Sequence, residues 1–160
     1  MQDEINQVQD FHMKRVTNEV WFVALGSENA GNGGAKAFMA QHADELRGAV
    51  IINIEGIGAG DFCYYETEGA YRPKKISSRL KRVMRAAQRD TGISAAPAKM
   101  EWKDSLASLA MKAHIPAITL TGMNGNAPAF MGRGDDVAEI IESKDLAKRI
   151  DFIESMIRNV

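Results

Sequence analysis

The stretch that decides the fold is VWFVALGSENAGNGGAKAF, Val20–Phe38. Val20–Leu25 is an uninterrupted apolar run of strand length, the pattern of a strand buried on both faces. It stops at Gly26-Ser27-Glu28-Asn29, and the stretch holds four glycines before a helical pattern begins. That pattern predicts a helix over Gly33–Leu46, with Phe38, Met39 and Leu46 facing inward. A strand, an acidic turn and a helix form a unit that can place catalytic groups at a sheet edge. The turn holds one acid, Glu28, followed by an amide, Asn29.

Further along the chain, strands and helices alternate. Ala49–Ile57 is the most β-prone segment and is predicted to be a central strand. Asp61–Thr67 is a second strand after a glycine turn. Ser77 is placed to cap a helix over Ser78–Thr91, with Leu80, Val83, Met84 and Ala87 on one face and Gly92 ending it. Ala96–Glu101 reads as a short strand, Asp104–Ala113 as a helix and Ile115–Thr121 as a strand, with Pro116 near its start. Ser143 is placed to cap the last helix, where Leu146, Ile150, Ile153, Ile157 and Val160 recur by four and three. Residues 4–16 show a short amphipathic pattern. Together these predict one domain over residues 1–160, an α/β sheet with helices on its faces. In such sheets ligands bind beyond the carboxyl ends of the strands. Those ends are Gly26–Asn29, Glu55–Gly60 and Thr121–Asp136.

Composition excludes several classes. The 160 residues carry a formal net charge of −1, so no global field gathers nucleic acid, which is not an expected partner. The single cysteine, Cys63, excludes an internal disulfide framework and a multi-cysteine zinc site. No run of roughly 18 apolar residues spans a membrane. The first residues lack the apolar core of a signal peptide. These features describe this chain and leave open an extracytoplasmic or membrane-anchored parent.

Five short motifs in order now carry a resemblance. They are Gly26-Ser27-Glu28-Asn29; Asn53-Ile54-Glu55-Gly56-Ile57-Gly58; Lys103-Asp104-Ser105; His114-Ile115-Pro116-Ala117; and Phe130-Met131-Gly132, with Asp135-Asp136 just after. The set resembles the zinc-dependent exopeptidases of the bacterial leucyl aminopeptidase, glutamate carboxypeptidase and transferrin receptor type. There the corresponding strings are Gly-Ala-Glu-Glu, Asn-Leu-Asp-Met-Ile-Gly, Ser-Asp-His, Gly-Ile-Pro-Ala and Tyr-His-Thr ahead of an Asp. The resemblance covers residue 17 to the C-terminus. It implies a three-layer α/β/α sandwich of the phosphorylase/hydrolase-like kind, with a mostly parallel mixed sheet of about five strands. The strands that precede these in the family are absent.

The resemblance also implies roles. Glu28 falls on the general base that acts on metal-bound water. Glu55 falls on an Asp ligand to zinc and reaches one methylene further. Asn29 falls on a Glu ligand, and an amide is a much weaker zinc donor than a carboxylate. Met131 falls on a His ligand, and a thioether suits softer metals. Asp104, Asp135 and Asp136 line the same loops. The remaining ligands belong upstream, and no His-x-Asp occurs in this chain. Zinc is therefore implied by the family, while stoichiometric zinc binding by this chain is not expected. Two function classes stay open. One is the metal-dependent aminopeptidase chemistry of a parent protein, inactive in this chain alone. The other is a degenerate peptidase-like domain that binds or scaffolds, with a peptide or small molecule as ligand. In the family a strand lies between those matching Val20–Leu25 and Ala49–Ile57. Its absence predicts a gap, a rearranged pairing or an exposed sheet edge, any of which favours association, including homo-oligomerisation.

Other patterns point less far. Gly56-Ile57-Gly58-Ala59-Gly60 precedes a strand rather than the helix a dinucleotide needs. Ser27 lies in Gly-Ser-Glu-Asn-Ala-Gly rather than GxSxG, so a triad with His114 and Asp135 lacks its elbow. His12, His42 and His114 form no i, i+4 pair. The basic run Arg72–Arg89 reads as a solvated helix face.

Overall fold

The computed structural model describes residues 16–129, 134, 137–141 and 143–160. The helical pattern at residues 4–16 therefore lies almost wholly outside the described residues. In chain order the elements are α1 (Gly33–Gln41), β1 (Ile51–Glu55), β2 (Asp61–Glu68), β3 (Lys74–Lys75) and α2 (Ser78–Thr91). There follow β4 (Ala96–Met100), α3 (Leu106–Lys112), β5 (Ala117–Asn124), β6 (Ala127–Pro128), a 3-10 turn at Ala138–Ile140 and α4 (Ser143–Arg158).

The sheet runs β1-β5-β2-β3, with β4 on β2 and β6 on β5. β1 pairs parallel with β5, and β2 parallel with β4. β2 lies antiparallel to β5 and β3, so the sheet is mixed. Period-2 alternation divides the residues of β5 and β2 between two faces. Ile118, Leu120, Phe62 and Tyr64 pack with α2 and α4 through Leu80, Val83, Met84, Phe152, Ile153 and Met156. On the other face Ala117 and Ile51 pack with α1 and α3 through Met39, Ala107 and Ala110. Small alanines let α3 approach the sheet closely. The result is a three-layer sandwich.

α2 forms where its sequence places it. The Ser77 hydroxyl accepts the Leu80 N–H at 3.3 Å, and Gly92 closes the helix at φ 72°. α1 is shorter than its apolar pattern and gives way to turns after Gln41.

The main departure is Val20–Leu25, which forms no strand. A strand needs a neighbour to satisfy its N–H and C=O groups. This segment is held by side chains instead. The Trp21 ring meets Phe38 and His42 edge-on, with centroids 6.5 and 5.4 Å apart. Trp21 Nε1 donates to Glu19 Oε1 at 2.8 Å. Val20, Trp21, Phe22 and Val23 are all exposed. Among the described residues β1 has one ladder partner, β5, and is therefore an edge strand. Ile54 near its end is 50% exposed.

Candidate functional site

The turn carrying Glu28 is built from backbone hydrogen bonds. Ala30 N–H donates to Ser27 O at 3.2 Å, Asn32 N–H to Glu28 O at 3.1 Å and Gly34 N–H to Gly26 O at 3.2 Å. A Cβ on Gly34 would stand 2.4 Å from Gly26 O, so only glycine permits this closure. Asn32 Nδ2 reaches across to Asp104 O at 2.9 Å, tying the turn to the β4–α3 loop.

Glu55 ends β1 and is buried. Its Oε1 accepts from Asn53 Nδ2 at 2.8 Å, while Oε2 has no hydrogen-bond partner. Lys103 faces both acids. Its Nζ lies 3.7 Å from Glu28 Oε1 and 3.6 Å from Glu55 Oε2. Burial, reinforced by the neighbouring Glu28 carboxyl, pushes the Glu55 carboxyl up to about 7 against the opposing pull of Lys103. Two acids, one from the Glu28 turn and one from the end of β1, thus share one ammonium. Beside them opens a cavity of about 340 Å³, walled by Glu55, Gly58, Thr121, Gly122, Val137 and Ile141 among others. A Cβ on Gly122 would stand 1.8 Å from Ala59 O, so the cavity wall depends on that glycine.

The other predicted positions fall differently. Asn29 is exposed at the tip of the turn. Asp104 does not cap α3. Ser105 does, in a reciprocal pair with Ser108. The Asp104 carboxylate accepts from Ala70 N–H at 3.0 Å and from Lys112 Nζ at 2.6 Å. Burial raises its pKa, but the hydrogen bonds from Lys112 and Ala70 outweigh that and hold it below the usual carboxylate range. It fastens loops together behind the Glu28–Glu55 pair. Met131, Asp135 and Asp136 lie outside the described residues.

Two groups beside the Glu28–Glu55 pair escaped the sequence, one facing it and one buried behind it. Lys103 was legible only as part of a motif, since nothing local tells where a lysine on a loop will point. Glu68 is fully buried at the end of β2. Its Oε2 accepts from Ser105 Oγ at 2.5 Å and Thr119 Oγ1 at 2.8 Å. The pairing of β2 with β4 shifts register between Tyr65 and Thr67. A bulge of this kind changes the facing of the residues after it, which alternation alone misplaces.

Among the described residues, no three of His, Cys, Asp and Glu gather as a metal-binding set. Structural and catalytic zinc sites use three or four such donors. Glu28 and Glu55, with an ammonium between them, do not fit that group.

This fold is that of a peptidase family. The family model described as Peptidase family M28 matches residues 4–153, and the chain belongs to that family. Its peptidases are generally zinc-dependent. Among solved structures the chain is similar to an aminopeptidase from Aneurinibacillus sp. strain AM-1, at 18% identity and a TM-score of 0.59. That match covers 83% of this chain and 31% of the aminopeptidase. The chain thus spans about a third of that enzyme's length. A second similar structure is the 5'-methylthioadenosine/S-adenosyl homocysteine nucleosidase of Campylobacter jejuni, at 13% identity and a TM-score of 0.51, covering 79% of this chain and 76% of that one. At these identities the likeness shows a shared fold, and one fold carries unrelated chemistries. No curated protein matches the chain.

Proposed function

We propose that this chain is a peptidase-scaffold module that binds a peptide-like ligand and does not hydrolyse it unaided. The observation that carries this is the Lys103 ammonium facing Glu28 and Glu55 at 3.7 and 3.6 Å. Metal-assisted hydrolysis needs an open Lewis acid there. A lysine ammonium neutralises the acids but has no vacant orbital to polarise a carbonyl. The binding capacity remains. The cavity suits an apolar side chain, with Gly58, Val137 and Ile141 on its wall and the Glu55 carboxyl at one side to meet a polar terminus.

The test is incubation of the 160-residue chain with leucine p-nitroanilide, with and without zinc. No release of nitroaniline above buffer is expected. Leucine amide should still shift the amide resonances of Gly58 and Gly122. Zinc-dependent turnover abolished by Glu28→Gln would overturn this reading.

A second reading concerns the whole protein. The family match and the 31% coverage of the aminopeptidase favour a longer hydrolase to which this chain contributes. Glu28 then serves as the proton-accepting group and Glu55 as the acid opposite it. The remaining site groups come from outside the chain.

A further inference from the structure

Glu55 Oε2 is a buried, unpartnered oxygen, and its side chain is only 4% exposed. Such an oxygen is costly to leave charged and unpaired, so either a proton or a nearby cation must offset it. In a metal site that cation would be the ion. Here it belongs to the protein.

Lys103 is placed there by its neighbours in the chain. Asp104, which follows it, is fixed by Ala70, Lys112 and Asn32. Trp102, which precedes it, lays its ring 5.8 Å from the Lys103 Nζ. The lysine side chain is itself 18% exposed, against 45% for Glu28. The ammonium is nearly equidistant from the two acids, and at 3.6–3.7 Å it stands just beyond hydrogen-bonding range of either. It thus stands within ion-pairing distance of both acids at once.

Building on the binding-module reading, we infer that Lys103 is the resident cation of the Glu28–Glu55 pair and excludes a divalent metal from it. The lysine is then an internal competitor of fixed local concentration. Removing its charge while keeping its stem should leave two facing acids and an orphaned oxygen, which a divalent ion can bridge.

The experiment compares the wild-type chain with Lys103→Met, with Lys103→Arg and with the triple variant Lys103→Met/Glu28→Gln/Glu55→Gln. Melting is followed with and without zinc chloride. Zinc should raise the melting temperature of Lys103→Met by several degrees. It should leave the wild type, Lys103→Arg and the triple variant unmoved. Urea titration gives the second readout. For it, Glu55→Gln and Lys103→Met/Glu55→Gln are added: Lys103→Met should raise the unfolding constant at least tenfold with Glu55 present, and less than twofold in the Glu55→Gln background. Zinc lifting the wild type and Lys103→Met alike, or lifting neither, overturns the inference. So does an equal cost of Lys103→Met in both backgrounds. No peptide enters this test, so its failure leaves ligand binding in the cavity standing. Failure of leucine amide to bind leaves the cation result standing.

Discussion

Glu55 and Glu68 are both buried acids at the ends of strands in one sheet, and burial raises the pKa of both. Their surroundings differ. Glu68 is sealed, with hydroxyl donors from Ser105 and Thr119 on one oxygen and no hydrogen-bond partner on the other, and it feels the Lys103 charge only weakly beside its burial. Glu55 has an ammonium, a second acid and an open cavity beside it. The two are joined, since Asn53 Nδ2 donates both to Glu55 Oε1 and to Thr119 Oγ1, and Thr119 donates to Glu68. Neutral donors on a closed acid make a structural clamp between β2, β5 and α3. Charges on an open acid make a site. Burial alone does not separate the two; the kind of partner and access to a cavity do.

The largest effect that could break this contrast is on Glu68. Glu68→Leu keeps the volume roughly but strands the Ser105 and Thr119 hydroxyls, and should cost about 3 kcal/mol in urea unfolding. A neutral result would remove the clamp from the account.

The pH dependence sharpens the contrast on the other side. Glu55 is raised from an ordinary 4.5 to about 7, so the folded state binds its proton more tightly than the unfolded chain. Its contribution to stability is full below about 4.5 and is lost as pH rises through about 7, by up to about 3 kcal/mol. Unfolding measured across that range should show stability falling with pH. Glu55→Gln should flatten most of the falling slope between about 4.5 and 7, and Glu68, whose pKa is also raised by burial, contributes in the same direction to what persists. An unchanged slope would mean that Glu55 is not the titrating group.

The smallest effect is at the link. Asn53→Ala should cost about 1 kcal/mol. It should also move the Thr119 amide resonance, showing that the two acids communicate.

Much of this architecture was legible in the sequence. The Ser77 cap, the four buried residues of α2 and the Gly92 stop are local signals, and the structure repeats them. Glu55 was legible as a strand-end acid because a glycine loop follows it, whereas Glu28 was legible only as the acid of a glycine-rich turn, since no strand precedes it. What was not legible depends on partners distant in the chain. Val20–Leu25 has strand composition but no ladder, since composition does not supply a neighbour. Glu68 lies behind a bulge that reverses the count of faces. Lys103 reaches its acids across 75 and 48 residues of chain, from positions 28 and 55, and no local pattern encodes that meeting.

The buried Arg149 of α4 spans such a distance as well. Its guanidinium donates to the carbonyls of Ile57, Ala59 and Gly60, contacts that join residues 89 to 92 apart. The loop following Glu55 is thus fastened by the final helix rather than by the strands that flank it. In folding terms the site is a late structure. Local pieces such as α2 can form early, but closing so long a loop costs entropy that is recovered only when α4 docks. A chain without α4 loses the three Arg149 contacts together with the core packing of Phe152, Ile153 and Met156, so the loop after Glu55 and the sheet beneath it depend on the same docking step.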